Sequence, residues 1–165
     1  MADESDIAFN YPVDGCWARA YLMLNRIIER YDGVSVNKVW AFGNFQVNTN
    51  GPYGIIYWEN HVAPIVTVTG NKDSLTMVID PSIADGPVSK NGWWSIMTDE
   101  TPDFLSMQVT SPGEPPVDPL TKQPYSGSGY WLGEDPTTHG GLDGFSIWMM
   151  GKYLNCAASG RTYPC

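Results

Sequence analysis

Five side chains in this chain of 165 residues carry thiol or imidazole chemistry: Cys16, Cys156, Cys165, His61 and His139. Cysteine attacks acyl carbons as its thiolate. The ordinary thiol pKa of about 8.5 is lowered by the first turn of a helix and by a neighbouring imidazolium. Cys16 opens the stretch CWARAYLMLNRIIERY, in which Trp17, Ala20, Tyr21, Leu24, Ile27 and Ile28 recur at the 3–4 spacing of one buried helical stripe. Arg19, Asn25, Arg26, Glu29 and Arg30 mostly fill the other side. The pattern predicts a helix from Cys16 to Tyr31, with Asp14 as its N-cap and Asp32-Gly33 ending it.

His61 falls in Asn60–Thr69 (NHVAPIVTVT), the clearest strand signal in the chain, on the face shared with Ala63 and Ile65. A second strand, Leu75–Asp80, follows the turn residues Gly70-Asn71-Lys72-Asp73-Ser74 and is stopped by Pro81-Ser82. If Gly70-Asn71 is a two-residue hairpin loop, His61 and Asp80 stand directly opposite, with Cβ atoms about 4.5–5.5 Å apart. A longer turn makes them diagonal neighbours, still within reach. A slip of one residue destroys the arrangement. An Asp beside a His on one strand face can orient the imidazole and stabilise its charged form.

Each of these residues also has an ordinary role. A strand His is commonly a satisfied surface or core residue, a Cys in a helical turn commonly packs, and an Asp before Pro commonly forms a turn. What those roles leave unexplained is the combination of a Cys at a helix start, a strand His and a facing Asp. The other imidazole, His139, sits in the loop Thr137-Thr138-His139-Gly140-Gly141 and is a weaker candidate base. Glu134-Asp135 are adjacent loop carboxylates, and adjacency does not fix two acids across a sugar, so a glycosidase is poorly supported.

Cys156 and Cys165 are separated by eight residues that include Ser159-Gly160 and Pro164. A loop that short can close, which in the chain-entropy model contributes about 2.5–3 kcal/mol. One pair plus one working thiol suits an oxidising compartment; three reduced cysteines suit a cytosolic chain. There is no CxxC and no Cys/His cluster of zinc type, so a metal site is not expected.

Composition narrows the function classes. Hydrophobic residues make up 42% and charged residues 16%, with 17 Gly and 13 Pro, which excludes a disordered chain and a coiled coil. No run approaches the roughly 18 apolar residues of a membrane span. The chain carries 9 basic and 18 acidic residues, net −9, and so lacks the cationic face that nucleic-acid binding requires. Residues 99–143 hold eight of those acids against Lys122 alone, together with seven Pro and six Gly. This segment reads as long surface loops with a few short strands. Residues 1–13 read as a polar arm, Lys38–Phe42 and Tyr53–Trp58 as short strands, and Phe145–Leu154 as a last strand or short helix. The whole chain, 1–165, is expected to form one domain.

Three blocks resemble the signature stretches of bacterial protein-glutaminases, which are protein-glutamine deamidases. They are Asp14-Gly15-Cys16-Trp17-Ala18-Arg19-Ala20, His61-Val62-Ala63-Pro64-Ile65-Val66 and Val78-Ile79-Asp80-Pro81-Ser82, with Gly86-Pro87-Val88 shortly after. The resemblance runs from Asp14 to about Val88. Trp17 stands where a Tyr is expected and Asn60 where an aromatic is expected. That family is similar in its core to transglutaminases and papain-like cysteine enzymes. The resemblance therefore implies an α+β fold in which a nucleophile helix packs on an antiparallel sheet with long loops. It further implies Cys16 as nucleophile, His61 as acid/base and Asp80 as the orienting acid. The implied reaction is deamidation of protein- or peptide-bound glutamine through a cysteine thioester, which needs no metal or organic cofactor. Backbone amides at the helix start would meet the oxyanion. Trp40 is a side-chain candidate for a second donor, and Trp58 a candidate to flank a glutamine slot and bind substrate.

A secreted monomer with a Cys156–Cys165 disulfide, acting on glutamine-containing proteins and binding neither nucleic acid nor membrane, is the corresponding expectation. Readings that share the same three residues are a transglutaminase, a cysteine protease or a deamidating toxin domain. A non-catalytic alternative is a carbohydrate-binding module using the abundant Trp and Tyr, which would have no use for a reactive thiol.

Overall fold

The computed structural model describes residues 4–49, 52–70, 73–97, 106–125, 141–162 and 164–165, with the backbone alone for 141–145. The elements run α1 (Cys16–Arg30), β1 (Val34–Asn48), β2 (Ile55–Thr69), β3 (Ser74–Val78), α2 (Lys90–Met97), β4 (Ser106–Thr110) and α3 (Gly141–Ser159). Helices thus accompany one four-stranded antiparallel sheet of order β3-β2-β1-β4, an α+β architecture.

The predicted helix begins at Cys16 and stops one residue early, at Arg30, with Tyr31 already extended. It buries more than the anticipated stripe: Ala18, Arg19, Leu22 and Met23 join Trp17, Ala20, Leu24 and Ile27, while Tyr21 is half-buried and Ile28 is exposed. The wider buried arc arises because the helix is covered from more than one side. Ile7, Ala8 and Tyr11 of the N-terminal arm are buried in the same cluster as α1 and Met149, Met150, Tyr153 and Cys156 of α3. The arm is therefore core rather than a polar appendage. Each fully buried Leu or Ile contributes about 1.5–3 kcal/mol.

β1 and β2 are longer than the sequence signals for them. The short strand expected at Lys38–Phe42 is part of a 15-residue strand, and of Tyr53–Trp58 only Ile55–Trp58 is strand, the start of a second 15-residue strand that continues into the His61 stretch. Their pairing is interrupted by a bulge between Phe42 and Phe45. The turn between β2 and β3 is longer than two residues: Thr69 pairs with Ser74, and the Gly70 amide donates to the Asp73 carbonyl. Ile65 accordingly faces Val78, and His61 and Asp80 are diagonal rather than opposite. The ladder then fails for a chemical reason. Ile79 N–H donates to the Pro64 carbonyl at 3.0 Å, but Pro64 has no N–H to return. Beyond this point β2 has an open edge, and the chain leaves the strand course at Asp80-Pro81.

The two faces of the sheet carry different clusters. Trp40, Phe42 and Val62 face α1 and α3, whereas Val39, Ala41, Ala63 and Ile65 pack with Trp93 and Met97 of α2. Lys90–Met97 forms α2, and Phe145–Leu154, expected as a last strand or short helix, lies inside the 19-residue α3. Cys156, near the end of α3, is joined to Cys165 by a disulfide.

Candidate functional site

Cys16 is the first residue of α1 and is a free, partly exposed thiol. The residue before it, Gly15, is the true N-cap, in the left-handed conformation with φ 77°, and no side chain caps the helix. Asp14 instead folds back on the turn. Its Oδ1 accepts the Gly15 N–H at 2.6 Å, and its Oδ2 accepts the Tyr153 hydroxyl at 3.0 Å. The Tyr153 ring fills the space above Gly15: a Cβ there would lie 2.2 Å from its Cε2. Buried Arg19 closes the other side, donating from Nη1 to the carbonyls of Tyr11 and Asp14 at 2.7 and 2.6 Å. The first-turn amides of α1, without a side-chain cap, keep the partial positive charge that suits an anion.

His61 and Asp80 form a buried pair, 1% and 6% exposed, with Nε2 donating to Oδ2 at 2.7 Å. The same Oδ2 accepts the Trp93 indole N–H at 2.8 Å, and Ser82 donates its hydroxyl to Oδ1. Trp58 stacks on the imidazole at 4.1 Å between centroids and 6° between planes, with its own N–H donated to the Pro12 carbonyl. Trp93 stacks more loosely at 5.7 Å. Burial opposes charge on both partners. On His61 it is outweighed by the charge and hydrogen bond of Asp80 and, next, by those of Cys16, which together lift the imidazole to about 9. On Asp80 burial is outweighed by His61, Ser82 and Trp93, which bring the carboxyl down to about 2. The pair is an imidazolium and a carboxylate at neutral pH.

Cys16 meets this pair at the open edge of β2. One small cavity is lined by Cys16 and Arg19 of α1, Val62 to Pro64 of β2, and Ile79 and Asp80 beyond β3. His61 Nε2 is committed to Asp80, and Nδ1 makes no other hydrogen bond, so Nδ1 is the ring nitrogen left for the thiol. The arrangement can hold a thiolate–imidazolium couple beside the first-turn backbone amides of α1, the geometry that nucleophilic acyl transfer requires.

The structure thus brings Cys16, His61 and Asp80 together and sets Trp58 against the imidazole. The indole N–H of Trp40, the side-chain candidate for an oxyanion donor, is instead donated to Thr110 Oγ1 at 3.1 Å. His139 and Glu134-Asp135 lie outside the described residues. Among the described residues no group of three His, Cys, Asp or Glu side chains could hold a metal ion. Sequence reasoning missed Trp93, Ser82 and Tyr153. The Asp80-Pro81-Ser82 spacing was a usable signal for Ser82, since a hydroxyl two residues after an Asp commonly bonds back to it. Nothing local pointed to the two aromatics.

The family model described as Glutaminase matches residues 1–97. Among solved structures, a crystal structure of protein-glutaminase superposes with TM-score 0.67 at 21% identity, over 96% of this chain and 77% of that one. A pro-protein-glutaminase also reaches 0.67, at 22% identity, over 94% of this chain but only 52% of its own. The NMR structure of protein-glutaminase from Chryseobacterium proteolyticum gives 0.56 at 26% identity, over 72% of this chain and 65% of that one. No curated protein matches the sequence.

Proposed function

This chain belongs to the glutaminase family, and we propose that it deamidates the side chains of glutamines within proteins or peptides, with Cys16 as nucleophile. The observation that carries this reading is the free Cys16 thiol at an uncapped helix start, beside the buried His61–Asp80 pair. In the resting couple the proton is on His61. Cys16 Sγ attacks the carboxamide carbon, and the carbonyl oxygen becomes an oxyanion facing the first-turn amides. As the tetrahedral adduct collapses, His61 gives its proton to the departing ammonia, leaving a thioester. The neutral ring keeps its Nε2 hydrogen on Asp80, so Nδ1 carries the lone pair on the side of the thioester. It takes a proton from water, hydroxide adds to the acyl carbon, and glutamate leaves as the thiolate is regenerated. Trp58, half-buried and stacked on the ring, is the proposed wall beside the incoming glutamine.

Support for the wider expectations is more general. The Cys156–Cys165 disulfide suits an oxidising compartment, and no described helix is long and apolar enough to cross a membrane. We propose accordingly a secreted catalytic domain spanning 1–165, monomeric, with Ile7, Ala8 and Tyr11 of its N-terminal arm in the core and protein chains rather than nucleic acid or membrane as partners.

The test is incubation with an intact glutamine-containing protein, following ammonia release and the mass gain of amide-to-acid conversion. Release of ammonia with no chain cleavage and no incorporation of added amine is expected, and Cys16→Ser should abolish it while keeping the melting temperature. Cleavage or amine incorporation as the main outcome would overturn deamidation in favour of a protease or transglutaminase.

A further inference from the structure

Lys38 lies on the central strand β1, across the ladder from Pro64 and Thr110. Its ammonium sits 5.9 Å from the centre of the Tyr21 ring. Among the described residues it forms no ion pair. Burial with no compensating anion holds its pKa below the usual lysine value. It stands in a cleft of about 230 Å³ lined also by Trp17, Tyr21, Trp40, Glu114 and Tyr125 and closed along one side by the proline-rich stretch 112–116.

The cleft abuts the reacting groups. Trp17, in its lining, follows Cys16 in the first helical turn, and Val62 is shared with the small cavity that Cys16 lines. After burial, the charge of Cys16 is the next influence that pushes the Tyr125 hydroxyl up, so this wall lies within the electrostatic range of the thiol.

We propose that the cleft receives a side chain flanking the target glutamine and that Lys38 makes it select an acidic one, so that glutamines beside Asp or Glu are favoured over those beside Lys or Arg. The selectivity rests on the reading of Cys16 as nucleophile. An incoming carboxylate gives Lys38 an ion-pair partner that it does not have among the described residues, and the aromatic and proline walls leave the pair less solvated than at an open surface, which strengthens the attraction. Glu114 is the opposing charge: it lies exposed in the lining of the same cleft and weakens the preference without cancelling it. The net charge of −9 repels acidic proteins at long range, so the preference is local and belongs to peptides rather than to whole acidic proteins.

The experiment uses end-blocked peptides with one glutamine, differing only in Asp, Ala or Lys at the flanking positions. It reads ratios of kcat/KM from ammonia release at low and high salt. On one side of the glutamine the Asp-to-Ala ratio is expected to be about three- to tenfold and to shrink with salt. Lys38→Met brings that ratio to near one, Lys38→Arg keeps it, Lys38→Glu favours the Lys peptide, and Glu114→Gln raises the Asp preference. A flat ratio in the natural protein, or one that survives Lys38→Met, overturns the selectivity and would mean that the lysine merely extends its head to solvent. If the Ala peptide itself releases no ammonia, the deamidase reading fails and the selectivity falls with it.

Discussion

Trp93 donates its indole N–H to Oδ2 of Asp80 at 2.8 Å, the same oxygen that receives His61 Nε2. A helix on one face of the sheet thereby fixes the carboxylate that fixes the imidazole. Both Trp93 and Asp80 are buried, so the bond is shielded from water and from salt.

Removing that donor while keeping an aromatic ring is the sharpest probe, and the void left by the smaller ring adds its own cost to that of the lost hydrogen bond. Trp93→Phe should cost about 1.5–3 kcal/mol of stability for the bond alone, the range for a hydrogen bond to a charged group. It should also lower kcat more than it raises KM, because Asp80 is then free to turn. Denaturant unfolding together with steady-state kinetics checks both; an unchanged kcat would mean that Ser82 and His61 hold the carboxylate unaided.

Asp80→Asn keeps the shape of the site and removes the charge that favours the imidazolium. Turnover should fall roughly 10²–10⁴-fold with circular dichroism unchanged. Single-turnover rates would locate the loss in the chemical step. Retention of near-normal rates would show that His61 does not depend on this carboxylate.

The pair also gives stability a pH window. His61 is lifted from 6.5 to about 9 on folding, so its contribution is complete below 6.5 and is lost as pH rises through about 9. Asp80 is lowered from 3.8 to about 2, so its contribution is complete above 3.8 and is lost as pH falls through about 2. The melting temperature should therefore be greatest between 3.8 and 6.5. Its alkaline decline should flatten in His61→Gln, and an identical decline in both proteins would mean that other groups set it.

Gly15 has two reasons to be glycine, a φ of 77° and the Tyr153 ring 2.2 Å from where a Cβ would be. Gly15→Ala should cost about 1–2 kcal/mol for the backbone and about 1–3 kcal/mol for the overpacking. The helix start would shift and activity would fall with stability. A denaturant midpoint equal to that of the natural protein would show the turn to be more adaptable than its geometry implies.

Much of the candidate site could be read locally. The apolar spacing after Cys16 marked a helix and put the thiol in its first turn. Alternation and turn residues placed His61 on one strand and Asp80 at the end of the next, and even the longer turn actually present leaves them within reach. Local rules gave the wrong cap, however. Asp14 is the expected residue type for an N-cap, but its carboxylate is recruited by Tyr153, which lies 139 positions away. The helices α2 and α3 were less legible for other reasons: α2 is only eight residues long, with Trp93 and Met97 as its buried pair, and in α3 the exposed Ile147 and half-buried Trp148 carry apolar character off the buried stripe, which hides the periodicity that reveals a helix.

What the sequence determined by itself is the identity and local setting of the reacting groups, because helix starts, strand faces and turns depend on neighbours a few residues apart. The tertiary structure decided which groups meet and how firmly they are held. The missing N–H of Pro64 opens the edge of β2 where Cys16 comes within reach of His61. Trp93 and Tyr153 then lock the two halves from opposite faces of the sheet. These contacts join segments far apart in the chain, and only the packed core selects them from the many pairings that the sequence alone allows.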